Sequence, residues 1–154
     1  MTVTVGKRAP AFKLPTDGGG SVSLAGLKGR NVVLYFYPKD DTSGCTKEAQ
    51  AFAESLADFA KANVEIVGVS RDSVARHDKF KAKHDLPFTL VSDEDGKICE
   101  AYGVWVEKSM YGRKYMGIER ATFLIDDTGK LRQVWRKVKV PGHAEAVLAA
   151  VKAL

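Results

Sequence analysis

The chain has 154 residues, enough for one domain whose core needs no disulfide or metal staple. Apolar residues at 45% and charged residues at 28% match a water-soluble globular protein, and no apolar run approaches the roughly 20 residues of a membrane helix. The net charge of +5 is scattered along the chain, and its densest stretch, residues 132–139, alternates with apolar side chains, so a solvated face is expected and not a nucleic-acid surface.

Residues 1–8 contain no apolar stretch of signal-peptide length, which makes the cytoplasm the expected compartment. Residues 11–14 and 21–24 flank Asp17-Gly18-Gly19-Gly20 and predict a small N-terminal hairpin. Residues 31–37 form an apolar run closed by Pro38, the pattern of a fully buried strand. Residues 43–62 carry Ala49, Phe52, Leu56, Phe59 and Ala60 at helical spacing. Val64–Ser70 reads as a second buried strand. The helix expected at residues 73–84 has few apolar side chains, chiefly Val74 and Phe80, so it should lie on the surface. His77 and His84 share one face of it, read as solvated and not as a metal site. Asp93-Glu94-Asp95-Gly96 lacks the spacing and terminal glutamate of a calcium loop and reads as a turn.

A short helix at residues 97–102 leads into residues 103–117, a poorly periodic stretch expected to be a loop or short irregular hairpin that walls a site. Residues 121–126 and 131–138, joined by the turn Asp127-Thr128-Gly129-Lys130, predict a hairpin of strands. Residues 143–153 form the last helix, with Ala146, Val147, Ala150 and Val151 as its inner stripe. No repeat or linker divides the chain, so residues 1–154 are expected to form a single domain. The order of elements is that of an α/β protein of thioredoxin-like fold, a mixed central sheet flanked by helices.

Two cysteines, Cys45 and Cys99, are too few for a disulfide scaffold or a structural zinc site. Each is then either a small buried hydrophobe or a reactive group. Cys45 falls in the first turn of a long helix that follows a buried strand. Unpaired backbone N–H groups and the positive end of the helix dipole there favour thiolate over thiol. Ala49, Phe52 and Leu56 lie on the same stripe as Cys45, so the sulfur should face a pocket in the protein. Thr42, three residues earlier, has a hydroxyl able to donate and accept beside a thiolate. The plainer roles are a Thr42 or Ser43 helix cap, with a contribution of about 1 kcal/mol, and a Pro38 that only ends a strand. Gly18-Gly19-Gly20 precedes no lysine-bearing phosphate loop, and no metal or cofactor is expected.

The full pattern Pro38-x-x-x-Thr42-x-x-Cys45 resembles the active-site motif of the peroxiredoxins. Residues 35–49 around it are similar to the bacterioferritin comigratory protein, or peroxiredoxin Q, subfamily. Further similar segments, at residues 6–12, 67–70, 102–105 and 120–126, extend the resemblance over nearly the whole chain in order. The resemblance implies a thiol peroxidase that reduces hydrogen peroxide and organic hydroperoxides through a Cys45 sulfenic acid. It implies that Thr42 bonds the sulfur and the substrate, that Pro38 shields the thiolate, that Arg120 supplies a stabilising cation, and that Glu48 orients Arg120. Many members carry a resolving cysteine five residues after the first, where this chain has Gln50; another branch places it in the following helix, which has none here. Cys99, beside Ile98 and Tyr102, reads as a packed core thiol.

A one-cysteine variant is therefore expected, recycled by thioredoxin, glutaredoxin or a low-molecular-weight thiol, and acting as a monomer or weak homodimer. The competing readings are a two-cysteine peroxidase that resolves through Cys99, a thioredoxin-type disulfide reductase, and a basic binding module with an inert Cys45. The reductase would need a cysteine where Thr42 stands.

Overall fold

In the computed structural model, which describes residues 3–154, every side chain from Val32 to Tyr37 is buried. Strand β3 (Asn31–Phe36) has no solvated face because both sides of it are covered. Val32, Leu34 and Phe36 enter one core, while Val33, Tyr35 and Tyr37 enter the other. This is the period-two alternation of a strand with two apolar faces, and it explains why the sequence reads as an unbroken hydrophobic run.

Before it comes the expected hairpin of β1 (Lys13–Pro15) and β2 (Ser21–Ser23). After it follow α1 (Ser43–Glu54), α2 (Leu56–Lys61), β4 (Val64–Ser70), α3 (Val74–His84), β5 (Thr89–Ser92) and α4 (Lys97–Ala101). The chain then continues through β6 (Trp105–Met110), β7 (Arg113–Ile118), β8 (Ala121–Ile125), β9 (Leu131–Trp135) and α5 (His143–Lys152). The central sheet runs β5-β4-β3-β8-β9, with β3, β4 and β5 parallel and β8 and β9 antiparallel to their neighbours. One face is covered by α1, α2 and α5, with Phe80 of α3; the other by α4 and residues of the N-terminal segment. This is the mixed sheet flanked by helices that the element order predicts for a thioredoxin-like fold. No helix among the described residues is long and apolar enough to cross a membrane.

Four details depart from the sequence reading. The helix expected over residues 43–62 is broken at Ser55, whose amide turns back to Phe52 and Ala53 in a tight final turn before α2 restarts. β5 has no clear sequence signal: it is four residues long, with only Leu90 and Val91 as apolar markers. Residues 103–117, expected to be irregular, instead supply most of a regular antiparallel hairpin, β6 with β7, closed by Tyr111 and Gly112 in the left-handed region. Two residues with positive φ match the right-handed twist of a two-residue hairpin turn. Finally, α3 does not present His77 to solvent. His77 is fully buried because that face of α3 meets the loop after β3 and the Val91 carbonyl, and polar groups there are partners in place of water.

Candidate active site

The passage from β3 to α1 is fixed by its ends. Tyr37 N–H still donates to the Val69 carbonyl, and Pro38, which has no N–H, ends the ladder. Asp41 adopts a left-handed conformation (φ 61°) and Thr42 is extended at the helix N-cap, its carbonyl accepting from Thr46 N–H at 2.9 Å. Cys45 is thus the third residue of α1. It is 1% exposed and packs in one core with Ala49 and Phe52, on the stripe the sequence spacing predicts.

The partner of the sulfur comes from a distant segment through sheet register. Phe36 of β3 faces Ala121 of β8, so the residue before Ala121 stands beside the end of β3 where the Cys45 loop departs. That residue is Arg120. Its Nη2 lies 3.4 Å from Cys45 Sγ and donates to it, while Nη1 donates to Glu48 Oε1 at 2.7 Å. Gly44 permits the approach, since a Cβ there would sit 3.2 Å from Arg120 Nη2. The sequence reading did not single out Gly44.

Glu48 is 1% exposed, and its second oxygen, Oε2, has no hydrogen-bond partner. Burial pushes its carboxyl up to about 7, against the opposing pull of Arg120. The Arg120 guanidinium is itself held more firmly protonated by Glu48 and Cys45, despite its own partial burial. Burial and then Arg120 lower the basicity of Lys108, on the neighbouring hairpin. Arg120 thus places a cation beside the sulfur.

Of the predicted residues, Cys45, Arg120 and Glu48 meet in one hydrogen-bonded set. Thr42 borders it, but its hydroxyl donates to the Lys39 carbonyl at 2.9 Å and makes no side-chain cap bond to the helix. Pro38 is half-buried and lines a cleft of about 460 Å³ with Lys39, Trp105, Lys108, Met116 and Ile118. The hairpin of β6 and β7 therefore does wall this cleft. Cys99 is elsewhere: it lies fully buried in the core on the opposite face of the sheet from Cys45. Burial, and then the adjacent Asp93 carboxyl, push its thiol far above the ordinary range. Asp93 holds the first turn of α4 by accepting from the Ile98 and Cys99 amides.

A second set was missed from sequence. Asp40, in the same loop, places Oδ2 2.6 Å from Nδ1 of His77, and His77 Nε2 reaches the Val91 carbonyl at 2.8 Å. Tyr37 Oη donates to Asp40 Oδ1, and Asp40 N–H donates to Asp72 Oδ2.

Comparison with known proteins finds relatives that match nearly the whole chain. The AhpC/TSA family model matches residues 5–134. A putative peroxiredoxin bcp from Coxiella burnetii is 55% identical over 148 residues, covering 96% of this chain and 98% of its own. Peroxiredoxin Bcp from Bacillus subtilis is 50% identical, covering 99% and 97%. Among solved structures, a bacterioferritin comigratory protein from Xanthomonas campestris, studied for alkyl peroxide reduction, superposes with a TM-score of 0.91 at 49% identity, covering 97% of this chain and 98% of that one. A cysteine-to-serine variant of peroxiredoxin Q from Xylella fastidiosa gives 0.94 at 43% identity, covering 99% and 98%.

Proposed function

The chain belongs to the AhpC/TSA family, among its Bcp or peroxiredoxin Q members, and from that membership we propose the following division of labour at Cys45. The protein is a thiol peroxidase, with a hydroperoxide as substrate and a thiol as reductant. In our reading the Cys45 thiolate attacks the terminal peroxide oxygen in line with the O–O bond. An S–O bond forms and the O–O bond breaks; its electron pair leaves on the departing oxygen, which takes a proton to become water or an alcohol. The sulfur is left as a sulfenic acid.

One observation carries this assignment: the Arg120 guanidinium, 3.4 Å from Cys45 Sγ and tied at 2.7 Å to Glu48. A fixed cation beside the sulfur stabilises both the attacking thiolate and the negative charge that grows on the leaving oxygen. Glu48 fixes its direction. Thr42, whose hydroxyl hydrogen is engaged by Lys39, keeps lone pairs free to accept from the peroxide O–H. Pro38 keeps water from the thiolate. The cleft beside Pro38 suits the tail of an organic hydroperoxide as well as hydrogen peroxide.

An external thiol then attacks the sulfenic acid, releasing water and leaving a mixed disulfide. A second thiol displaces Cys45 from it. We favour this one-cysteine cycle because Gln50 occupies the near position, α3 holds no cysteine, and Cys99 is across the sheet with a thiol that burial keeps protonated. Thioredoxin, glutaredoxin or a small thiol would serve as donor, in a reducing cytoplasm, to a single-domain monomer or weak homodimer. The test is Cys45→Ser: peroxide consumption should cease with the fold intact, and consumption at the native rate would refute the reading.

A further inference from the structure

We propose that His77 is a positioning residue for this chemistry: through Asp40 it latches the segment carrying Cys45 onto α3, and the latch must open before an external thiol reaches oxidised Cys45. The inference rests on Cys45 as the reacting thiol.

Cys45 is 1% exposed, whereas thiol–disulfide chemistry needs an incoming thiolate to approach the sulfur in line. The first turn of α1 and the loop before it must therefore shift during each cycle. Besides Arg120, which holds Cys45 and Glu48, the side-chain bonds that oppose that shift lie on α3 and its approach. Asp40 meets His77 at 2.6 Å and, through its amide, Asp72 at 2.8 Å; Asp41 meets Lys83 at 2.8 Å and His84 at 2.9 Å. Asp41 is exposed to solvent in both of its pairs, which contribute little. The Asp40–His77 pair is buried, with side chains 2% and 0% exposed, and dominates.

Its protonation follows from its partners. The Val91 carbonyl can only accept, so His77 Nε2 carries a proton. A carboxylate can also only accept, so in the charged form of the pair Nδ1 carries a proton too and the ring is an imidazolium. The groups facing it are Asp40 and Tyr37 from the loop side, Asp72 before α3 and the Val91 carbonyl of β5. Burial alone would lower the affinity of this ring for its second proton, but the hydrogen bond and charge of Asp40 outweigh it and raise the value above 6.5. A histidine raised on folding contributes fully below its ordinary value of 6.5, and the contribution is lost as pH rises through the raised one. The proton that leaves is the one on Nδ1. A lone pair then faces the carboxylate at 2.6 Å and the latch loosens.

Asp40→Asn supplies the control. Its amide can donate to a neutral Nδ1 while its oxygen accepts from Tyr37, so the hydrogen bonds persist without charge. The experiment uses the full chain as wild type, His77→Gln and Asp40→Asn, from pH 6 to 8.5. It reads amide hydrogen exchange over residues 38–46, single-turnover oxidation by hydrogen peroxide, and reduction of oxidised Cys45 by dithiothreitol. Ratios to Asp40→Asn at the same pH cancel the titration of dithiothreitol.

In wild type, exchange and reduction should rise with pH by about tenfold relative to Asp40→Asn, the scale of one charge-assisted hydrogen bond, while oxidation slows. His77→Gln should show the loosened behaviour already at pH 6. Opposite movement of the two half-reactions, with exchange changed over residues 38–46 and not across the whole chain, is the signature, since global unfolding would raise exchange everywhere. If His77→Gln does not fold, identical pH dependence in wild type and Asp40→Asn would still overturn the proposal, and so would unchanged exchange over residues 38–46 in His77→Gln. Failure of Cys45 to oxidise would bring down the peroxidase assignment with it; normal oxidation without a change in exchange overturns the latch alone.

Discussion

Replacing Glu48 by glutamine should change how stability depends on pH more than it changes the fold. Glu48 Oε1 accepts from Arg120 at 2.7 Å, but Oε2 is buried without a partner, so ionisation leaves charge on an unsatisfied oxygen. Burial therefore lifts the carboxyl from 4.5 to about 7. Between those values the folded protein holds a proton that the unfolded chain has released. A carboxyl raised in this way makes the native state lose stability as pH rises through the window. At about 1.4 kcal/mol per pH unit the loss amounts to about 3 kcal/mol by pH 8. Glutamine has the same shape and keeps an oxygen for Arg120, but it does not titrate. Urea denaturation followed by tryptophan fluorescence, for both proteins from pH 4.5 to 8, measures the effect. Subtraction removes the other titrating groups, including His77 and His143. The stability of wild type relative to Glu48→Gln should fall by about 3 kcal/mol across the range. A flat difference, or one that rises with pH, would mean that Arg120 compensates the buried charge fully and that the reasoning from Oε2 is wrong.

Arg120→Ala should slow oxidation by hydrogen peroxide about 10²-fold or more, the usual loss for a donor aimed at developing charge, as stopped-flow kinetics would measure. Cys99→Ser should retain turnover with dithiothreitol as donor, because Cys99 lies in the core across the sheet from Cys45; loss of donor-dependent turnover would implicate it in resolution. Gly68→Ala should destabilise the fold by about 1–3 kcal/mol in denaturation, since its Cβ would come within 2.9 Å of Leu90 Cδ2 and of Tyr35 Cζ and Oη.

The parts legible in the sequence are those governed by local pattern. Residues 32–37 announce a buried strand because both faces are covered, and the stripe from Cys45 through Phe52 announces which way the sulfur points. Arg120 has no local signature. Only the resemblance to peroxiredoxins singled it out, and the pairing of Phe36 with Ala121 explains how it arrives. Residues 103–117 read as a loop or short irregular hairpin because most side chains of β6 and β7 are exposed or half-exposed, which erases the alternation a half-buried strand would show. His77 looked solvated for a similar reason: the acceptors that bury it, Asp40 and the Val91 carbonyl, lie 37 and 14 residues away. A buried polar residue is recognised by its partners, and those are set by tertiary structure.

The most direct test of the central claim is a peptide map of fully reduced, donor-free protein treated with one equivalent of hydrogen peroxide in the presence of dimedone, which traps sulfenic acids. The dimedone adduct is expected on Cys45 and a free thiol on Cys99. An unmodified Cys45, or a Cys45–Cys99 disulfide as the main product, would contradict it.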